Sequence, residues 1–171
     1  VYDEANDELY ILSEKRLIVY SSSGVHKRTI ALSLPDDKRI TRMANYDNGS
    51  LLLFDSDNFV LISKADGSEL KRLDVSSGEK VKLYAIIVSV IASTQNQIVN
   101  YKDGLLLSDY STDTVYFFNK NKELIPVLIK QPSIHSMDPV IYANAFVEAT
   151  DYLFYRKITV KFKMGNYLRC I

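Results

Sequence analysis

The stretch ELYILSEKRLIVYSSSG, residues 8–24, contains the pattern on which the whole chain is built. Two short apolar runs, at residues 9–12 and 17–20, flank a charged turn, and a run of small residues ending in Gly24 forms a second turn. Apolar runs of this length between turn residues are typical of β-strands in antiparallel hairpins. The stretch therefore predicts neighbouring strands of one sheet, and the rest of the chain decides whether that sheet is isolated or repeated.

Similar units recur along the chain. Three of them begin at a tyrosine, at Tyr2, Tyr46 and Tyr101. Each unit then passes through a polar turn, an apolar strand, a second polar turn and another apolar strand. A weaker fourth unit occupies the C-terminal part of the sequence, so the pattern is a repeat rather than a single hairpin.

A turn before the last strand of each unit gives the period of the repeat. Alignment of the units places this turn at Gly24, Gly67 and Asn121, and at Gly165-Asn166 in the fourth unit. The turns recur at roughly 40–55 residues, a period typical of four-stranded β-propeller blades. The longest interval contains an insertion around residues 79–97.

The predicted fold class is all-β, a partial β-propeller built as an open arc of three to four antiparallel four-stranded blades. The predicted blades span roughly residues 1–35, 36–78, 79–132 and 133–171. Three dipeptides, Asn48-Gly49, Asp66-Gly67 and Asp103-Gly104, lie at predicted hairpin turns. Such dipeptides commonly supply the positive φ that tight turns require, and we predict that role for them here.

Two longer stretches carry a resemblance to a known family. They are DELYILSEKRLIVYSSSGVHKRTI, residues 7–30, and YKDGLLLSDYSTDTVYFFNKNKELIPVLI, residues 101–129. The chain resembles the NHL-like six-bladed β-propellers. The step Asp113-Thr114-Val115-Tyr116 is similar to one found in propeller lipoproteins of Gram-negative bacterial envelopes. The resemblance implies a six-bladed ring and a location in the periplasm or on the outer cell surface.

A closed six-bladed ring needs about 270 residues at this period, and 171 residues supply about three and a half blades. We therefore expect the chain to be a fragment whose missing blades belong to the same protein. Basic and acidic residues balance at 21 each, so the sequence predicts no nucleic-acid partner. The longest apolar run, residues 83–92, is half of what a membrane-spanning helix needs, since such a helix takes about 20 residues.

Chemistry-bearing motifs are sparse. The chain has one cysteine and two histidines, which predict neither a disulfide framework nor a metal centre. The sequence DSDN from Asp55 to Asn58 resembles the start of a calcium loop, but Phe59 and Val60 then occupy positions that calcium loops reserve for a polar residue and glycine. The sequence contains no nucleophile elbow and no phosphate-binding loop, and we predict no cofactor and no catalytic residue.

Candidate binding residues lie in predicted loops and on one innermost strand. Those that follow the second strand of a blade are Asp55, Asp57, Asp109, Tyr110 and Asp113; Arg42 lies on an innermost strand and His135 in a long link. The repeat would bring the aspartates to one rim, where a glycan, peptide or protein ligand could bind. The alternative is that these carboxylates only cap turns and keep the loops soluble.

The function that this pattern favours is a non-enzymatic binding or scaffolding module of the bacterial cell envelope. The alternative is a propeller-type lyase or hydrolase whose catalytic residues lie in blades outside this chain. A full-length sequence would discriminate between the two, because an enzyme of this type would add histidines or acids along the channel.

Overall fold

A computed structural model describes residues 1–35, 38–55, 58–75, 97–109, 112–137, 140–149, 152–161 and 169–170. Its regular secondary structure, over these residues, consists of β-strands alone. The chain divides into an N-terminal unit, Val1–Asp74, and a C-terminal unit, Val75–Ile171. Each unit is built from antiparallel sheets in which strands that follow one another in the sequence pair side by side.

The N-terminal unit contains two four-stranded sheets. The first consists of β1 (Tyr2–Asp3), β2 (Glu8–Ser13), β3 (Arg16–Tyr20) and β4 (His26–Ala31). The second consists of β5 (Arg42–Asn45), β6 (Ser50–Phe54), β7 (Phe59–Ser63) and β8 (Glu69–Leu73). Both sheets are simple meanders, the arrangement expected of propeller blades.

The two sheets of this unit pack face to face. Tyr10 and Val19 are cross-strand partners on one face of the first sheet, and Leu53 and Val60 are partners on one face of the second. All four side chains are buried in a common apolar cluster. Successive side chains of a strand point to opposite faces, so every second residue of these apolar runs contributes to the face that meets the other sheet.

The C-terminal unit contains a third four-stranded sheet and a second, three-stranded one. The four-stranded sheet consists of β9 (Gln97–Tyr101), β10 (Gly104–Ser108), β11 (Thr114–Phe118) and β12 (Leu124–Ile129). The three-stranded sheet consists of β13 (Val140–Ala149), β14 (Tyr152–Lys161) and β15 (Arg169–Cys170). Leu153 of β14 packs against Leu106 and Val115, which fixes the β13–β14 hairpin against the four-stranded sheet.

The turns before the last strands are built alike in the three four-stranded sheets. Each link has five residues, at 21–25, 64–68 and 119–123, and its fourth residue has a positive φ. That residue is Gly24 (φ 81°), Gly67 (φ 75°) and Lys122 (φ 62°). The predicted equivalence of these turns is therefore correct for the glycines, but Lys122 and not Asn121 takes the equivalent position.

The dipeptides Asn48-Gly49 and Asp103-Gly104 are at the β5–β6 and β9–β10 turns. Their glycines do not have the predicted positive φ. Among described glycines, only Gly24 and Gly67 have a positive φ. At the β9–β10 turn Lys102 takes the positive φ (50°), and Gly104 is required for another reason. A Cβ on Gly104 would lie 2.3 Å from the Phe118 carbonyl oxygen, so only glycine fits there.

The all-β fold class is confirmed, and none of the sheets closes into a barrel. Each sheet lies within one of the four predicted blade ranges, although the repeat boundaries themselves stay predictions. The last sheet differs from a regular blade because β13 and β14 have ten residues each. Most of the 79–97 insertion and the predicted Gly165-Asn166 turn lie outside the described residues.

Candidate functional site

A groove of about 660 Å³ opens within the C-terminal unit, and we call it the lysine groove. One wall is formed by the end of β12 and the link that follows it, residues 128–137. The other wall is the face of the β13–β14 hairpin that carries Ile141, Tyr155 and Lys157. Its main lining side chains are Ile129, Lys130, Met137, Ile141, Tyr155 and Lys157. Cavities of roughly 300–1,000 Å³ are typical of small-molecule sites in proteins.

The hairpin wall follows from strand alternation. Leu153, Tyr155 and Lys157 are at every second position of β14 and so share one face. Leu153 packs into the core of the neighbouring sheet, so Tyr155 and Lys157 on the same face border the groove. Tyr152 belongs to the opposite face and is 70% exposed.

The opposite wall is fixed by Asp113. Its backbone oxygen accepts a hydrogen bond from the Lys130 amide (2.9 Å), and its Oδ1 accepts one from the Ile134 amide (2.7 Å). Ile134 is buried, and its neighbour Ser133 accepts a further hydrogen bond from the Ser136 amide (3.0 Å). One aspartate therefore holds both ends of the segment that carries Lys130.

Lys130 lies half-buried in the groove wall. Its burial lowers the pKa of the ammonium group, whereas the charges of Asp113 and Asp109 raise that pKa and offset part of the effect. The charged form of Lys130 is therefore incompletely compensated by the protein.

Asp109 and Asp113 were both predicted as binding residues, and both lie between β10 and β11 beside Lys130. The Asp109 side chain is nearly buried, and its backbone oxygen accepts hydrogen bonds from the amide and hydroxyl of Thr112 (3.3 and 3.2 Å). Direct contact with a ligand stays a prediction for these two residues. What the structure adds is that Asp113 holds the groove wall and that the charge of Asp109 acts on Lys130.

Asp55 directly follows β6, as predicted, and its side chain is fully buried. It accepts a hydrogen bond from the Asn58 amide (2.8 Å) and forms an ion pair with Arg72 of β8 (2.6 Å). This arrangement is the turn-capping alternative of the sequence analysis. The binding role of Asp55 stays a prediction.

The remaining candidates are distributed over both units. Arg42 begins β5, is partly exposed and donates a hydrogen bond to the Thr41 carbonyl (2.7 Å). His135 is exposed in the link that borders the lysine groove. Asp57 and Tyr110 lie outside the described residues, so their predicted roles stay open.

A buried ionic network in the N-terminal unit was not predicted from the sequence. Lys64 donates to Asp3 Oδ2 (2.6 Å) and to the Asp47 carbonyl, and both charged side chains are almost wholly buried. This ion pair joins the first sheet to the end of β7 across 61 positions of the sequence. No local pattern identifies such a partner, although a lysine directly after an apolar strand is a weak signal.

A second cluster adjoins this pair. Arg28 donates two hydrogen bonds to the Glu8 carboxylate, one of them 2.9 Å long, and a third to the Lys64 carbonyl (3.2 Å). The Tyr10 hydroxyl also donates to Glu8 (2.5 Å). The hydrogen bonds from Arg28 hold the Glu8 pKa below its usual range, against the opposing effect of burial. Because these groups satisfy one another, the cluster serves as a polar link between the two sheets.

Comparison with known proteins gives no match: no protein-family model, curated protein or solved structure resembles the chain closely enough to count as one. In the part of the chain that the structure describes, no helix is long and apolar enough to cross a membrane. Within the same part, no three His, Cys, Asp or Glu side chains gather as metal ligands would.

Proposed function

We propose that this chain is part of a non-enzymatic binding module of the bacterial cell envelope, and that its ligand occupies the lysine groove. The envelope location is taken from the resemblance to NHL-like propeller lipoproteins. The single observation that carries the binding role is the groove itself, which has the volume of a small-molecule site and combines apolar walls with a few polar groups.

The construction of the groove supports the proposal. Lys130 is positioned by the hydrogen bonds that Asp113 makes to its segment, and Tyr155 and Lys157 project from a ten-residue strand. The backbone that carries these side chains is held by strands and by a fixed link, so it does not have to be ordered when a ligand arrives. Ile129 and Tyr155 are also 61% and 55% exposed, which leaves apolar area for a ligand to cover.

A titration followed by amide nuclear magnetic resonance tests the proposal. The ¹⁵N-labelled chain is titrated separately with maltotetraose, trialanine and dodecanoate, which represent a neutral glycan, a peptide and an amphipathic anion. We expect at least one probe to shift the amides of Ile129, Lys130 and Lys157 in a saturable way. Amides of β3 in the N-terminal unit should stay unchanged.

Two tyrosines of β14 provide a matched pair of variants. Tyr155→Ala removes a side chain from the groove, whereas Tyr152→Ala removes an equally large, exposed side chain from the opposite face. We expect the first variant to weaken binding and the second to leave it unchanged. If no probe shifts the groove amides, or if both variants weaken binding equally, the lysine groove is not the binding site.

A further inference from the structure

Among the described residues, the charged side chains that line the lysine groove are all of one sign. Among the described residues that line it are two lysines, Lys130 and Lys157, and no acidic side chain. Asp113 and Asp109 are close enough to Lys130 to act on its charge but are not among the described lining residues, and Asp113 Oδ1 accepts a hydrogen bond from the Ile134 amide. The described part of the wall therefore offers a ligand two lysines and a positive local potential.

The remaining wall is apolar or aromatic. The same space as the lysines is lined by Ile129, Met137, Ile141 and Tyr155, of which Ile129 is the most exposed, at 61%. Burial of apolar surface is favourable in proportion to its area. A ligand with an apolar portion can therefore gain from these side chains while its polar end stays near the lysines.

We infer that the lysine groove takes an amphipathic anion, a single soluble molecule with a carboxylate head at Lys130 and Lys157 and an aliphatic tail along Ile129, Met137 and Ile141. This inference rests on the proposed function, because it names the ligand class of the same site. It differs from the prediction of the sequence analysis, in which a glycan, peptide or protein ligand binds at a rim of aspartates.

The state of Lys130 supports this ligand class. Burial disfavours the charged ammonium and lowers its pKa, and Asp113 and Asp109 compensate only in part. A ligand carboxylate adds a counter-charge on the open side of the lysine. Charge-assisted hydrogen bonds of this kind are among the stronger polar interactions in proteins.

Isothermal titration calorimetry with four probes measures how much the charged head group and the aliphatic tail each contribute to the affinity. Dodecanoate, octanoate, dodecanol and dodecyltrimethylammonium are titrated below their aggregation thresholds. We expect dodecanoate to bind most tightly and each methylene lost to weaken binding by up to about fourfold. Dodecanol should bind at least tenfold more weakly than dodecanoate, and the cationic probe more weakly still.

Substitution of the lysines tests the same point from the protein side. Lys157→Gln should weaken dodecanoate binding by about fivefold, since its ammonium is exposed. Lys130→Gln should weaken it by tenfold or more, and circular dichroism checks that this variant still folds. Lys120→Gln is the matched control, because Lys120 is an exposed lysine of the same unit outside the groove.

Each of the following results overturns the inference. Equal binding of dodecanol and dodecanoate, tighter binding of the cationic probe, or unchanged affinity in both groove variants would each show that the ligand class is wrong. Maltotetraose or trialanine shifting the groove amides while dodecanoate does not would also overturn it, and would leave the proposed function standing. If none of the probes binds the groove, the proposed function fails as well.

Discussion

Replacing Lys64 by methionine should strongly destabilise the N-terminal unit. Methionine keeps most of the length and apolar character of the lysine stem but removes the ammonium that donates to Asp3 Oδ2 (2.6 Å) and to the Asp47 carbonyl. The Asp3 carboxylate then retains its hydrogen bond from Asn6 Nδ2 (2.7 Å) but loses its cation while it stays buried.

Removing one partner of a buried ion pair costs about 3–5 kcal/mol, because the other charge is left without compensation. A typical domain is stable by only about 5–15 kcal/mol, so the loss is a large fraction of the total. Urea unfolding followed by far-ultraviolet circular dichroism measures it. Lys71→Met, at an exposed lysine of β8, is the control and should cost less than about 1 kcal/mol.

The pH dependence distinguishes this mechanism from simple loss of packing. In the wild type, burial raises the Asp3 pKa, but the hydrogen bonds from Lys64 and Asn6 outweigh it and the pKa is lowered overall. The stability that this carboxylate contributes is present above its unfolded pKa and is lost as the pH falls through the folded value. Without Lys64, burial dominates and the Asp3 pKa should rise, so acidification stabilises the variant by protonating Asp3.

The free energies of unfolding of wild type and Lys64→Met should therefore differ most near pH 7 and converge below about pH 4. The reasoning is refuted by a difference under about 1 kcal/mol at neutral pH, or by a difference that does not change with pH.

Three further predictions concern the N-terminal unit, each measured by urea unfolding. Gly67→Ala should cost about 3 kcal/mol, because the new Cβ would lie 2.5 Å from the Ala31 carbonyl oxygen; Gly24→Ala, at a similar φ but with nothing within 4 Å, should cost about 1 kcal/mol. Equal costs would contradict the steric argument. Glu8→Gln should remove stability at neutral pH and progressively less as the pH falls below the usual range of a glutamate, because the Glu8 pKa is depressed and its contribution is lost as the pH falls through that lower value. Leu53→Ala should cost about 2–5 kcal/mol as a cavity in the shared core, and a smaller loss would mean that the two sheets do not pack tightly there.

The strands and the outer turns could be predicted because their causes are local. Short apolar runs between polar turns define most of the strands, and the five-residue links recur at the same point of every four-stranded sheet. The prediction for Asn121 was wrong by one position. The next residue, Lys122, adopts the positive φ that Gly24 and Gly67 adopt in the other two sheets. For Gly104 the sequence analysis predicts a positive φ, whereas glycine is needed there because the Phe118 backbone approaches closely. That approach depends on pairing between strands, which the dipeptide does not reveal.

The candidate site was predicted only in part because it depends on tertiary placement. The positions of Asp55 and Asp109 directly after β6 and β10 follow from the repeat. Their burial depends on neighbours such as Arg72, which is 17 positions away from Asp55. The lysine groove exists because the β13–β14 hairpin lies against a neighbouring sheet through Leu153, and its long strands depart from the regular blade.

The ion pair between Asp3 and Lys64 has a consequence for the order of events during synthesis. β1 has two residues, and its aspartate meets its cation only after 61 further positions have been made. Ribosomes add about 5–20 residues per second, so β1 waits roughly 3–12 seconds for Lys64. Until Lys64 has been made, Asp3 lacks the cation against which it is buried in the folded unit. The native contacts of β1 therefore cannot be complete before β7 and Lys64 have been synthesised.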